Sequence, residues 1–165
     1  MIAWQTLSLM FHLIAVALWI GVIVFFLVVL GPAVYELEPR IAIKTLNRGR
    51  TGLEIISWIA IAVLLLTGMF NLLARLSIMA TPTSESYAIM LGVKLFFFGA
   101  MVVHHCLQVF KYAPAISSLT AQLPQTLDSW PEPLLSYWRR WFLLLKINAA
   151  LGPIVVLLGL NLVHS

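Results

Sequence analysis

The residues of this chain whose types and spacing could do chemistry are His12, Lys94 and the adjacent pair His104 and His105, all set in strongly apolar sequence. A cation in hydrocarbon costs about 2.5–3.5 kcal/mol on insertion scales, so Lys94 must face protein, water or a cofactor rather than lipid. It shares one apolar stretch, Tyr87 to Tyr112, with both histidines. At about 100° per residue, Met101 lies about 20° from Lys94 around a helix, His105 about 20° to the other side and Gln108 about 40° away. These four make one polar stripe on a greasy helix. His104 falls about 80° off the stripe, toward a neighbouring helix or the edge of the same cavity. On the first apolar run, His12 and Trp19 are seven apart and share a face, with Gln5 and Ser8 close to it. Neutral imidazole is the commonest metal ligand. The plain rival is a histidine that only hydrogen-bonds to the next helix.

The elements that must position these residues are membrane spans. The chain has 165 residues, 62% hydrophobic and 10% charged, with a mean hydropathy of +1.01. Soluble domains carry about 25% charged residues, so an integral membrane protein is predicted, as a single all-α domain over 1–165. Four spans are expected, at about 4–34, 52–73, 87–111 and 139–163, forming a four-transmembrane-helix bundle. The first run has no basic opening and is too long for a signal peptide, so it reads as a retained span. Pro153 predicts a kink in the fourth span. Asn148, Gly152 and Gly159 share a face suited to close helix approach. The net charge of +4 comes from basic residues that mostly flank spans. That pattern speaks for topology and against nucleic acid. Arg40, Lys44, Arg48 and Arg50 lie in the connection 35–50, and Lys111, Arg139 and Arg140 bracket the connection 112–138. The short connection 75–86 holds only Arg75. The positive-inside rule then predicts both termini outside (N-out/C-out) and the connections 35–50 and 112–138 in the cytoplasm. A single cysteine, Cys106, excludes an intramolecular disulfide and any CxxC site. No phosphate loop, HExxH or GxSxG pattern is present, and no carboxylate lies deep in a span.

Counting at 1.5 Å per residue sorts the polar residues by depth. His12, Lys94 and Met69 fall at a common level, roughly 10–12 Å inside the outer face. His105 falls near the inner face, level with Trp58 and with Lys146 to Asn148. The two histidines are then roughly 15 Å apart along the bundle, too far to ligate one haem from both sides. An outer and an inner site are therefore expected. Met10, Met69, Met90 and Met101 read either as soft ligands for Cu(I) or as packing. Glu54 reads as an i, i+4 partner of Arg50.

The pattern His12-x6-Trp19-x-Gly21, with Thr67-Gly68 closing the second span and Tyr87-x3-Leu91-x2-Lys94 opening the third, resembles the copper resistance protein D (CopD) family. The resemblance covers nearly the whole chain. A more distant similarity, which includes Val34-Tyr35, is to HemJ-type protoporphyrinogen oxidases. Those proteins carry a histidine where this chain has Glu36, and a glycine three rather than two residues after the tryptophan. The resemblance implies a bacterial-type cytoplasmic (inner) membrane. It implies either a b-type haem within the bundle or passage of copper, with a homo-oligomer or partner membrane subunits completing the unit. In the haem reading, His12 and His105 (or His104) are iron ligands, Met69 is a second ligand at the outer level, and Trp19 lies on the cofactor-binding face. Lys94 pairs with a propionate, and the protein serves electron transfer or a redox complex. In the copper reading, His12 and Met69 form an outer entry site and His104 and His105 an inner one. A purely structural subunit is the third reading. Haem is favoured because a cation at the best-matched level suits an anionic cofactor better than a metal cation.

Overall fold

In the computed structural model, which describes residues 2–78 and 85–164 and the side chains of 4–77 and 85–162, helices account for nearly all of the chain. Helix α1 (Ile2–Phe25) continues through a π-helical turn, Phe26–Leu30, and two short helical turns to Glu36. Helix α2 is Pro39–Ile78, and α3 is Glu85–Cys106, extended by a π-helical turn at Leu107–Tyr112 into α4 (Ala113–Ala121). Helix α5 is Leu134–His164 and runs unbroken through Pro153. No strand occurs among the described residues. Lipid cannot satisfy backbone polar groups, and helices that bond internally answer that need.

Four helical stretches, Trp4–Glu36, Pro39–Ser77, Glu85–Ala121 and Leu134–Leu162, are long and apolar enough to cross a membrane. The chain is thus a multi-pass membrane protein by the length and composition of its helices. The span boundaries differ from those expected. The connection 35–50 shrinks to a turn at Leu37 and Glu38, and the connection 112–138 shrinks to 122–133 once α4 is formed. Of the connection 75–86, residues 79–84 lie outside the described part. At about 1.5 Å per residue α2 is roughly 60 Å long, twice the hydrocarbon thickness, so part of it stands beyond the membrane. The basic residues there disguise an amphipathic helix. Ala42, Ile43, Leu46 and Leu53 are buried, while Lys44, Arg48 and Thr51 face out.

α1 packs along α2, α3 along α5, and α1 also meets α5. Two glycines set the closeness of these seams. A Cβ on Gly49 would stand 2.5 Å from Leu30 Cδ2, and one on Gly152 would stand 3.2 Å from Ile20. The core is unevenly distributed along the bundle. The half nearer the turns at 37–38 and 122–133, here the basic end, is tightly filled. Phe26 meets Trp141 with ring centroids 5.1 Å apart, Trp141 meets Trp138 at 5.5 Å, and Ile43, Ile116 and Leu145 are sealed. Toward the opposite, terminal end, the same helix faces lose that seal.

Candidate functional site

The interior face of α1 is buried at Ala15, Trp19, Ile23 and Phe26; one and two turns further toward the terminal end it continues as His12 and Ser8, both half-exposed. On α2, buried Ala60, Ile61 and Leu64 give way to half-exposed Thr67, Gly68 and Asn71. On α3 and its π-helical extension, buried Met101, His105 and Gln108 give way to half-exposed Lys94. On α5, buried Asn148 and Gly152 give way to half-exposed Gly159. The polar residues of the terminal half are therefore less buried than the same helix faces at the basic end, although Tyr87 and Leu162 are buried there. Trp19 lies at the start of the sealed half, edge-on to Phe98 with centroids 5.9 Å apart. At the terminal end Arg75 donates to the Leu162 carbonyl at 3.0 Å and lies 4.0 Å over the Tyr87 ring.

His12 of α1 and Thr67 of α2 meet at 2.8 Å, Nδ1 to Oγ. Thr67 has one hydroxyl proton, and its 2.6 Å bond to the Val63 carbonyl uses it. His12 must then donate from Nδ1, which leaves Nε2 bare as an acceptor or ligand. A second-sphere bond that fixes the tautomer is a usual companion of a metal-binding imidazole. Gly68 lies beside the ring: a Cβ there would stand 3.6 Å from His12 Cε1, an ordinary van der Waals contact. Lys94 is seated in the same manner: its Nζ lies 3.2 Å from where a Cβ on Gly159 would stand. Among the described residues no carboxylate or hydrogen-bond acceptor pairs with it. The terminal half thus carries an imidazole with one ring nitrogen engaged by Thr67 and a cation without an acceptor among the described residues.

Met69 does not join them. It has the expected depth, but two residues beyond Thr67 it points to the opposite side of α2 and is 63% exposed on the outer surface of the bundle. Depth alone cannot give azimuth, and Met69 cannot serve as a second ligand beside His12 in this arrangement. Trp19 lies between His12 and the basic half, with its Nε1 buried and unpartnered.

The inner level forms as expected but is closed. His105 is 1% exposed and packs against Trp58, ring centroids 5.1 Å apart, with its Nε2 unpartnered. His104 Nδ1 lies 3.1 Å from Asn148 Oδ1, and Asn148 Nδ2 donates to the Met101 carbonyl at 3.2 Å. Gln108 donates to the Trp141 carbonyl at 3.1 Å. Because Trp19 and Phe98 are level, and His12 and His105 each lie seven residues away in opposite directions, the two imidazoles are about 20 Å apart along the bundle. They cannot share a ligand. Among the described residues no three His, Cys, Asp or Glu side chains gather in one place.

One polar cluster went beyond the sequence reading. Arg50 pairs with Glu54, as the i, i+4 spacing suggested, but it is only 4% exposed. Its guanidinium also donates to Asn47 Oδ1 at 2.9 and 3.1 Å and to Ser117 Oγ of α4 at 2.8 Å. That last bond ties the basic ends of α2 and α4 together. The spacing Asn47-x2-Arg50-x3-Glu54 contains the helical part of the cluster; nothing in the sequence names Ser117. No family model matches this chain, and none of the curated proteins or solved structures compared with it matches either.

Proposed function

We propose that the terminal half of the bundle binds haem b and that the protein acts in membrane electron transfer or as a subunit of a membrane redox complex. The observation that carries this reading is that the terminal half of the bundle holds both His12, whose Nδ1 is engaged by Thr67, and the Lys94 ammonium, which has no acceptor among the described residues. A planar apolar group with an acidic edge satisfies both. His12 is the iron ligand, Thr67 holds its ring and tautomer, Lys94 receives a propionate, and Trp19 and Phe98 close off the apolar edge. A charge-assisted hydrogen bond of this kind is roughly twice as strong as a neutral one. Haem b supplies one-electron exchange at its iron; the residues named here bind it, orient it and keep water from its apolar edges. In this proposal the sealed His105 serves packing and the half-buried His104 bonds to Asn148, rather than either serving ligation.

Copper fits this chain less well. Met69 faces outward, and the cation Lys94 opposes a metal cation at the level of His12. In the proposal the basic end lies in the cytoplasm and both termini lie outside, in a bacterial-type cytoplasmic membrane. Exposed Lys44, Arg48, Lys111, Arg139 and Arg140 all gather at that end, as the positive-inside rule requires. A homo-oligomer or partner membrane subunits would relay the electron. The test is the absorption spectrum of the detergent-purified protein, oxidised and dithionite-reduced, with iron and copper quantified. A sharp reduced α-band with stoichiometric iron, lost in His12→Ala and kept in His105→Ala, is expected. A colourless protein that takes up copper on titration refutes the haem assignment.

A further inference from the structure

Helix α5 turns one face away from the bundle. Asn148 bonds to α3 and Trp141 packs on α1, both buried. On the side opposite Asn148, Arg139, Leu143, Lys146, Ala150, Ile154 and Leu157 recur at helical spacing, and all are exposed. Arg139 and Lys146 are seven residues apart, so they sit about 20° from each other around the helix and roughly 10 Å apart along it. Both cations lie toward the basic end of this face; from Ala150 to Leu157 it is wholly apolar.

Lys146 is the unusual one of the two. It stands two residues from Asn148, whose Nδ2 donates at 3.2 Å to the Met101 carbonyl within the α3 span, so its backbone is at membrane depth. A lysine exposed there is costly unless its stem carries the ammonium toward the headgroups, where an anion can meet it. Neither Lys146 nor Arg139 has an acceptor among the described residues. Glu132, the carboxylate nearest to Arg139 in sequence, accepts the Ser136 N–H at 3.3 Å.

We infer that Arg139 and Lys146 together hold the phosphate of an acidic phospholipid in the leaflet at the basic end, with its acyl chains laid along Ala150, Ile154 and Leu157. The order of residues on this face matches such a molecule from end to end, with cations where headgroups lie and then an uninterrupted apolar stretch. Arg139 offers a planar fork that suits phosphate oxygens, and Lys146 a flexible ammonium that can rise to the same group. Two cations at one point repel a headgroup amine, which selects an acidic lipid over a zwitterionic one. A carboxylate from a neighbouring protein would have to be brought to the same depth, a cost that a lipid phosphate already at the interface does not incur. The site belongs to the basic end whichever side of the membrane that end faces, and it does not depend on haem.

The test is native mass spectrometry of the full chain in detergent, titrated with phosphatidylglycerol and, separately, with phosphatidylcholine of the same acyl chains. Retained phosphatidylglycerol and weaker phosphatidylcholine binding are expected. Lys146→Gln and Arg139→Gln should each weaken phosphatidylglycerol binding about 5-fold, the scale of one basic side chain near an anionic headgroup, and the double variant about 25-fold. Lys146→Arg should keep the lipid. Lys44→Gln, the same loss of charge on the exposed face of α2, should leave binding unchanged. An equal loss in Lys44→Gln overturns the inference, because net charge alone would then explain the binding. So does a protein that holds both lipids equally, or a Lys146→Gln variant that holds phosphatidylglycerol as tightly as before. Full displacement of the lipid by inorganic phosphate would make this a free-anion site and overturns it as well. A dimer that dissociates in Lys146→Gln with no change in lipid adducts would give the pair to a partner's carboxylate instead.

Discussion

Replacing Lys94 by methionine should move stability and cofactor binding in opposite directions. Methionine retains the length of the side chain and removes the charge. The ammonium has no anionic partner among the described residues and sits against Gly159, at membrane depth on α3. The full insertion cost of a lysine, about 2.5–3.5 kcal/mol at the centre of a span, is an upper limit, because Lys94 is half-exposed. About half of that, roughly 1–2 kcal/mol, is the gain expected for the haem-free protein, read from unfolding in mixed dodecyl maltoside and SDS micelles. Binding goes the other way. A hydrogen bond to a charged partner is worth about 1.5–3 kcal/mol, so losing the propionate contact should weaken haem binding about 10- to 150-fold in a titration followed by absorption. Lys94→Arg, which keeps the charge, should recover most of the affinity. A Lys94→Met protein that is less stable without haem and binds haem as tightly as before would refute the reasoning, because Lys94 would then be a structural residue with a partner outside the described part.

The remaining predictions address the groups around it. Thr67→Val removes the acceptor for His12 Nδ1 and should lower haem affinity about 10-fold, with a shifted reduced α-band, while Thr67→Ser preserves both; unchanged spectra in Thr67→Val would discard the tautomer argument. Gly49→Ala brings a Cβ to 2.5 Å from Leu30 Cδ2, the movable end of a half-buried side chain, and should destabilise the bundle by no more than about 1 kcal/mol in the same unfolding assay, with recovery in the Gly49→Ala, Leu30→Ala double variant. Asn148→Leu strips His104 Nδ1 and the Met101 carbonyl of their partner and should cost about 1–3 kcal/mol of stability, leaving haem content per folded molecule unchanged. With Cys106→Ser as background, a cysteine placed at Lys44 should react with an impermeant maleimide only in inverted membrane vesicles if the basic end is cytoplasmic; reaction in intact cells would reverse the orientation.

The sequence by itself determined the class of molecule, because hydropathy over about 20 residues is a local property that lipid reads directly. It also determined the stripe of Lys94, Met101, His105 and Gln108, since the helical period fixes which side chains share a face. The pairing of Arg50 with Glu54 and the inner level of His105 with Trp58 were legible for the same reason of spacing and depth. Helix ends were not. The amphipathic start of α2 carries Lys44 and Arg48 on its outer face, and the hydropathy that marks a span cannot register a helix that leaves the membrane. Only the tertiary structure decided which depth-matched residues meet. Thr67 and Met69 are two residues apart on α2, yet one holds His12 and the other faces outward, because the rotation of α2 about its axis is set by packing along α1. The seating of Lys94 against Gly159 and the bond from Arg50 to Ser117 likewise depend on where separate helices lie relative to one another, which no single stretch of sequence encodes.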